Sequence, residues 1–86
     1  KFALRAVSQS MARELGPEGI HVAHFVIDGA IDTAFIKEMF PDIYALKEKD
    51  GILKPKAIAD AYWFVHTQHR SAWTHEIDLR PYMEKF

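Results

Sequence analysis

Asp28-Gly29-Ala30-Ile31-Asp32-Thr33 is the stretch on which the fold turns, because an apolar run ends here and polar atoms suited to holding a ligand begin. Residues 20–27, just before it, are β-branched and aromatic, too short for a helix and too apolar for a strand with one wet face. They read as a strand buried on both faces of a parallel sheet, with residues 22–27 as its centre. In open α/β sheets the ligand sits at the carboxyl ends of such strands, so the corner after Ile27 is the candidate site. An Asp-Gly pair alone is mostly a turn signal.

Ahead of the strand, Leu4, Val7, Met11 and Leu15 recur at three- and four-residue steps, which predicts an amphipathic helix over 2–15. Ala3, Ala6, Ser10 and Ala12 are small enough for another helix or a cofactor to come close. Gly16 before Pro17 predicts a left-handed cap and a stop. Helix, turn and buried strand make half of a βαβ unit, and a parallel strand needs neighbours on both sides. The only other strand candidate is residues 74–79, where His75, Ile77 and Leu79 alternate with Glu76 and Asp78, and Pro81 closes it. The rest of the sheet is therefore expected from sequence ahead of Lys1 or from another chain. A start at Lys1, inside a helical pattern and without methionine or cap, points the same way.

Residues 34–52 carry Phe35, Ile36, Met39, Phe40, Ile43, Tyr44 and Leu46, too many apolar groups for a solvated loop. They read as a lid over an apolar pocket or, equally, as a packed pair of short helices over 34–40 and 44–49 divided by Pro41. Asp50-Gly51 turns the chain. Pro55 opens a further helix in which Ile58, Ala61, Tyr62 and Val65 form a stripe that Trp63 and Phe64 widen. These aromatics, with Trp73, read as core or subunit interface.

The chain has 86 residues, 49% hydrophobic and 27% charged, with net charge -1 and no cysteine. One domain at most fits that length, with a core that buries only about 60–65% of the unfolded surface. The charge supplies no basic field for nucleic acid and no lysine-rich helix for a membrane surface. A chain without cysteine has no disulfide framework and no thiolate metal site, which suits the cytoplasm. No apolar run is long enough to span a bilayer. His66 and His69 stand at helical metal spacing but lack a third ligand, so they read as helix-end residues and no metal site is expected. Asp28 and Asp32 read as turn-forming aspartates.

Lys1-Phe2-Ala3-Leu4-Arg5, then Gly19-Ile20-His21-Val22, then the corner from Asp28 to Thr33, then Leu53-Lys54-Pro55 opening a helix, resemble in that order the last third of short-chain dehydrogenase/reductases. The resemblance covers nearly the whole chain. It implies an α/β fold: the C-terminal part of a Rossmann-like doubly wound parallel sheet. Two strands and two main helices would be present and the N-terminal strands missing, with residues 1–86 part of one NAD(P)-binding domain and 34–52 its lid. In that family a tyrosine and a lysine four residues later carry the catalysis, and Lys1 sits where the lysine would be. The family's strand ends in a Pro-Gly-x-x-x-Thr pattern that holds the nicotinamide cofactor. Gly29 and Thr33 match it and Ile31 falls where a backbone contact to the carboxamide would lie, but Asp28 replaces the proline and the strand looks one residue longer.

The roles so implied make physical sense. A lysine beside a tyrosine lowers the phenol's pKa and can bond ribose hydroxyls; Gly29 lets the backbone approach the dinucleotide, and a Thr33 hydroxyl can donate to phosphate or carboxamide. The implied activity is NAD- or NADP-dependent hydride transfer between the nicotinamide and an alcohol or carbonyl, with Lys1 catalytic and Lys1, Gly29, Ile31 and Thr33 holding the cofactor. A homo-oligomeric parent is expected, as is an inactive isolated chain. A relative that kept the fold as a scaffold or assembly module and lost the chemistry is the alternative.

Overall fold

The computed structural model describes residues 1–85. Helix α1 spans Phe2–Leu15, as the apolar spacing predicts. Its stop differs from the expectation. Gly16 stays right-handed (φ -54°), Pro17 sits in the first turn of a short 3-10 segment, Gly16–Glu18, and the left-handed residue is Gly19 at φ +83°. Proline costs nothing at the first position of a helical turn, where its missing N–H has no partner to lose, so the chain winds one turn further before reversing.

Strand β1 is His24–Ile27 and pairs in parallel with β2, Glu76–Leu79, in a two-stranded sheet. His24 lies opposite Glu76, Phe25 opposite Ile77, Val26 opposite Asp78, and Ile27 opposite Leu79. The ladder runs beyond both ends, through His24 N to His75 O (2.7 Å) and Asp28 N to Leu79 O (2.9 Å). The parallel α/β reading holds, but β1 is shorter than residues 22–27. It is also half-buried rather than buried on both faces, because the helices over the sheet cover it only in part, α1 burying none of its own residues; among the described residues β1 has a partner on one edge alone.

The sheet's two faces take different helices. On one, Phe25 stacks on Tyr62 of α4, Pro55–His66, at 3.7 Å between ring centroids. On the other, His24 and Glu76 meet Arg5 of α1. Between β1 and α4 the chain makes α2, Ala34–Met39, then α3, Pro41–Tyr44, and a 3-10 turn, Ala45–Lys49. The helix expected over 44–49 instead starts at Pro41, which opens a helix rather than only ending one, again because proline suits a first turn. Asp50 then takes the left-handed conformation at φ 56° and reverses the chain.

Among the described residues, only Gly51, Ile52, Leu53, Val65 and Pro81 are buried. The apolar stripe of α1 faces outward, with Leu4 61% and Val7 54% exposed, whereas that of α4 turns partly inward through buried Val65 and leaves Trp63 on its flank 67% exposed. No helix among the described residues is long and apolar enough to cross a membrane.

Candidate functional site

The corner after β1 is held by contacts that the linear pattern does not display. Gly29 has φ +140°, and a Cβ placed there would meet Pro81 Cδ at 2.8 Å. Both facts demand glycine, one from the backbone and one from packing. Two residues on, Ile31 forms an isolated parallel bridge with Leu53, closed by Asp32 N to Leu53 O and Leu53 N to Ala30 O, each 2.8 Å. That bridge uses the groups of Ala30, Asp32 and Leu53, and Ile31's own amide and carbonyl point to its other side. Thr33 is the cap of α2: its Oγ1 accepts from Ile36 N at 3.3 Å, which leaves the hydroxyl proton available to donate.

The two aspartates are ion-paired rather than merely turn-forming. Asp28 Oδ2 lies 3.0 Å from Arg80 Nη1, and Arg80 also grips Asp78 through Nε (3.1 Å) and Nη2 (2.7 Å). The hydrogen bond from Arg80, with its charge, holds the Asp78 carboxyl below its ordinary range, and the same bond raises the guanidinium. The family's proline would be out of place at Asp28, since it could not supply the N–H that Leu79 O accepts. Asp32 pairs with Lys47 at 3.0 Å, tying the corner to residues 34–52. The Asp32 hydrogen bond, then that of Tyr44 (3.3 Å), raises the Lys47 pKa. Tyr82 OH donates to Lys49 O (3.0 Å) and pins the far end of that segment.

Lys1 lies elsewhere around the same strand. It lines a cavity of about 440 Å³ with Phe2, Arg5, His24, Val26 and Ile27, between the start of α1 and the open edge of β1. Ile31 lines a separate groove of about 690 Å³ along α4, with Pro55, Ile58, Tyr62, Trp63 and His66. Gly29 and Thr33 line neither. The structure therefore does not bring the four predicted site residues together in one of these cavities: Lys1 stands along β1, Ile31 along α4, and Gly29 and Thr33 at the turn between them.

Arg5, Glu76, Arg80 and Lys47 escaped the sequence reading. Arg5 had a signal, being one helical turn after Lys1, whereas Glu76 gains its role only from strand register. Arg5 is held twice by Glu76, Nε to Oε1 at 2.7 Å and Nη2 to Oε2 at 2.8 Å, and His24 Nδ1 stands 3.3 Å from Oε1. Partial burial pushes the Glu76 carboxyl up, but the hydrogen bonds from His24 and Arg5 outweigh it and bring the pKa below normal. His66 and His69 do not share a helix face. Helix α4 ends at His66, and His69, in extended backbone, uses Nδ1 to accept from Ser71 N at 3.1 Å. His21 stacks on Trp73 (4.5 Å) and reaches Thr74 O at 2.7 Å, and His75 Nδ1 lies 3.2 Å from Val22 O. No cluster of three or more metal-ligating side chains occurs among the described residues.

No family model and no curated protein matches the chain. Among solved structures it is similar to the crystal structure of a short-chain dehydrogenase from Rhodopseudomonas palustris, with 44% sequence identity and a TM-score of 0.61. The match covers 94% of this chain and 27% of that one, so the chain spans about a quarter of that dehydrogenase's length.

Proposed function

We propose, from the premise that this chain is a portion of a short-chain dehydrogenase/reductase, that it belongs to an NAD- or NADP-dependent oxidoreductase acting on an alcohol or carbonyl substrate. The observation that carries the reading is the 44% identity sustained over 94% of the chain. The residues around the carboxyl end of β1 suit the cofactor chemically. Lys1 offers an exposed ammonium for ribose hydroxyls, the Ile31 amide points away from its bridge, and Thr33 keeps a hydroxyl proton to donate. The bound nicotinamide supplies the hydride chemistry.

Lys1 would also place a positive charge beside a neighbouring phenol and favour its ionised form. Gly29 serves the site indirectly, since the space a side chain would fill belongs to Pro81 and the glycine fixes the turn that carries Ile31 and Thr33. Residues 34–52, tethered by Lys47 and Tyr82, would bound the substrate pocket. The chain alone would be inactive, because it contains no glycine-rich first βα turn for the pyrophosphate. A cytoplasmic, homo-oligomeric enzyme fits the cysteine-free sequence and the exposed aromatic face of α4.

Titration of the protein carrying this chain with NADH and NADPH, followed by nucleotide fluorescence, tests the proposal. Binding of one of them, weakened about tenfold or more by Lys1→Ala or Thr33→Val, is the expected result for a lost polar contact. If neither nucleotide binds, the oxidoreductase reading fails. The exposed Trp63 and Phe64 then favour the second reading, a scaffold that assembles through α4.

A further inference from the structure

The proposed cofactor lysine is the N-cap of helix α1, yet none of the helix's residues is buried. The polar grip on the sheet comes one turn in, where Arg5 is held by both oxygens of Glu76. The Arg5 amide donates to Lys1 O at 3.0 Å, the hydrogen bond that closes the first turn, so fixing Arg5 fixes the turn that starts at Lys1. A bidentate guanidinium–carboxylate fork sets orientation as well as distance. Glu76 is itself placed by register opposite His24, whose ring approaches the same carboxylate. Lys1, Arg5 and His24 form the polar wall of the cavity beside β1, with Glu76 behind it.

We infer that Glu76 is a positioning residue for Lys1: acting through Arg5, it sets where the Lys1 ammonium stands relative to the carboxyl end of β1. This rests on the cofactor role proposed for Lys1. The same arrangement makes β2 part of the site without contact to the ligand. It also explains why a carboxylate, rather than an apolar side chain, occupies the half-buried position facing α1.

A double-mutant cycle in the protein carrying this chain tests the inference, reading the dissociation constant of NADH or NADPH and the unfolding temperature together. Glu76→Gln and Arg5→Met are each expected to weaken binding about tenfold, as displacement of a charged contact does. In a Lys1→Ala background Glu76→Gln should weaken it no further. The exchanged pair Arg5→Glu with Glu76→Arg should recover part of the loss. A merely structural Glu76 would lower the unfolding temperature while leaving affinity unchanged, or would add its full effect to Lys1→Ala, and either result overturns the inference. Should neither nucleotide bind the unaltered protein, the oxidoreductase reading fails separately. The 13C resonance of reductively methylated Lys1 then decides the positioning claim: it shifts in Glu76→Gln if the claim holds and stays put if it is wrong.

Discussion

The corner from Asp28 to Thr33 and helix α1 both supply proposed cofactor contacts, and they are held in opposite ways. At the corner each group already has work inside the chain: Gly29 makes room for Pro81, Asp28 and Asp32 pair with Arg80 and Lys47, and Thr33 caps α2. At α1 the apolar stripe is largely exposed and a charged fork joins the helix to the sheet. A residue with a structural duty is weak testimony for function, since the duty alone would select it. Lys1, exposed at the mouth of a cavity, has no such competing explanation and carries more of the functional argument.

The contrast predicts that substitutions around the corner cost stability while those on the outward face of α1 hardly do. The largest effect should come from Leu53→Ala. Leu53 is 8% exposed and forms both the bridge to Ile31 and the small core, and truncating a buried leucine costs about 3 kcal/mol. Urea unfolding of the protein reads this directly, and a loss no greater than that of Leu4→Ala, at 61% exposure, would erase the distinction between the regions. Gly29→Ala comes next. Its φ of +140° and the 2.8 Å approach of Pro81 Cδ force the backbone or the ring to shift, at about 2 kcal/mol for a strained residue. Trimming the ring in a Gly29→Ala, Pro81→Ala double variant should return part of that loss, which separates packing from backbone strain.

Thr33→Ala should cost less, about 0.5 kcal/mol, because the cap bond is 3.3 Å long and serves a six-residue helix. Thr33→Ser keeps an oxygen and should be near neutral. If Thr33→Ala leaves stability untouched while weakening nucleotide binding, the threonine's duty is to the ligand; the reverse assigns it to the cap.

Periodicity made α1 and α4 legible in the sequence, and composition marked residues 22–27 and 74–79 as strands, but their pairing with each other came only from the structure. What escaped depends on distance in space. Nothing at Glu76 announces Arg5, since the two are 71 positions apart and meet only because His24 and Glu76 share a register. Leu53 reads simply as apolar until the bridge to Ile31 fixes it. Gly16 drew the cap prediction because glycine before proline usually stops a helix, and the extra 3-10 turn moved the left-handed residue to Gly19. For the proposed site, resemblance alone nominated Lys1, Gly29, Ile31 and Thr33, and the ion pairs around them had no signal in the sequence.

The smallest expected effect divides the regions by pH. Glu76, whose fork holds α1, has its pKa lowered, so the folded state favours its charged form. Its contribution is complete above the ordinary carboxylate range and is lost as pH falls through the lowered folded value. Lys47, which ties the corner to residues 34–52, has its pKa raised, so its contribution is complete below the ordinary lysine range and is lost as pH rises through the raised value. Both pairs are partly exposed and salt will weaken them, which makes the differences small. Hydrogen exchange resolved by residue should show α1 amides losing protection first on the acid side and those of residues 34–52 first on the alkaline side. Glu76→Gln should abolish the acid-side difference and leave the alkaline one intact. Were both segments to loosen together at either extreme, the helix and the corner would be one cooperative unit, and the separate bracing argued for them would not hold.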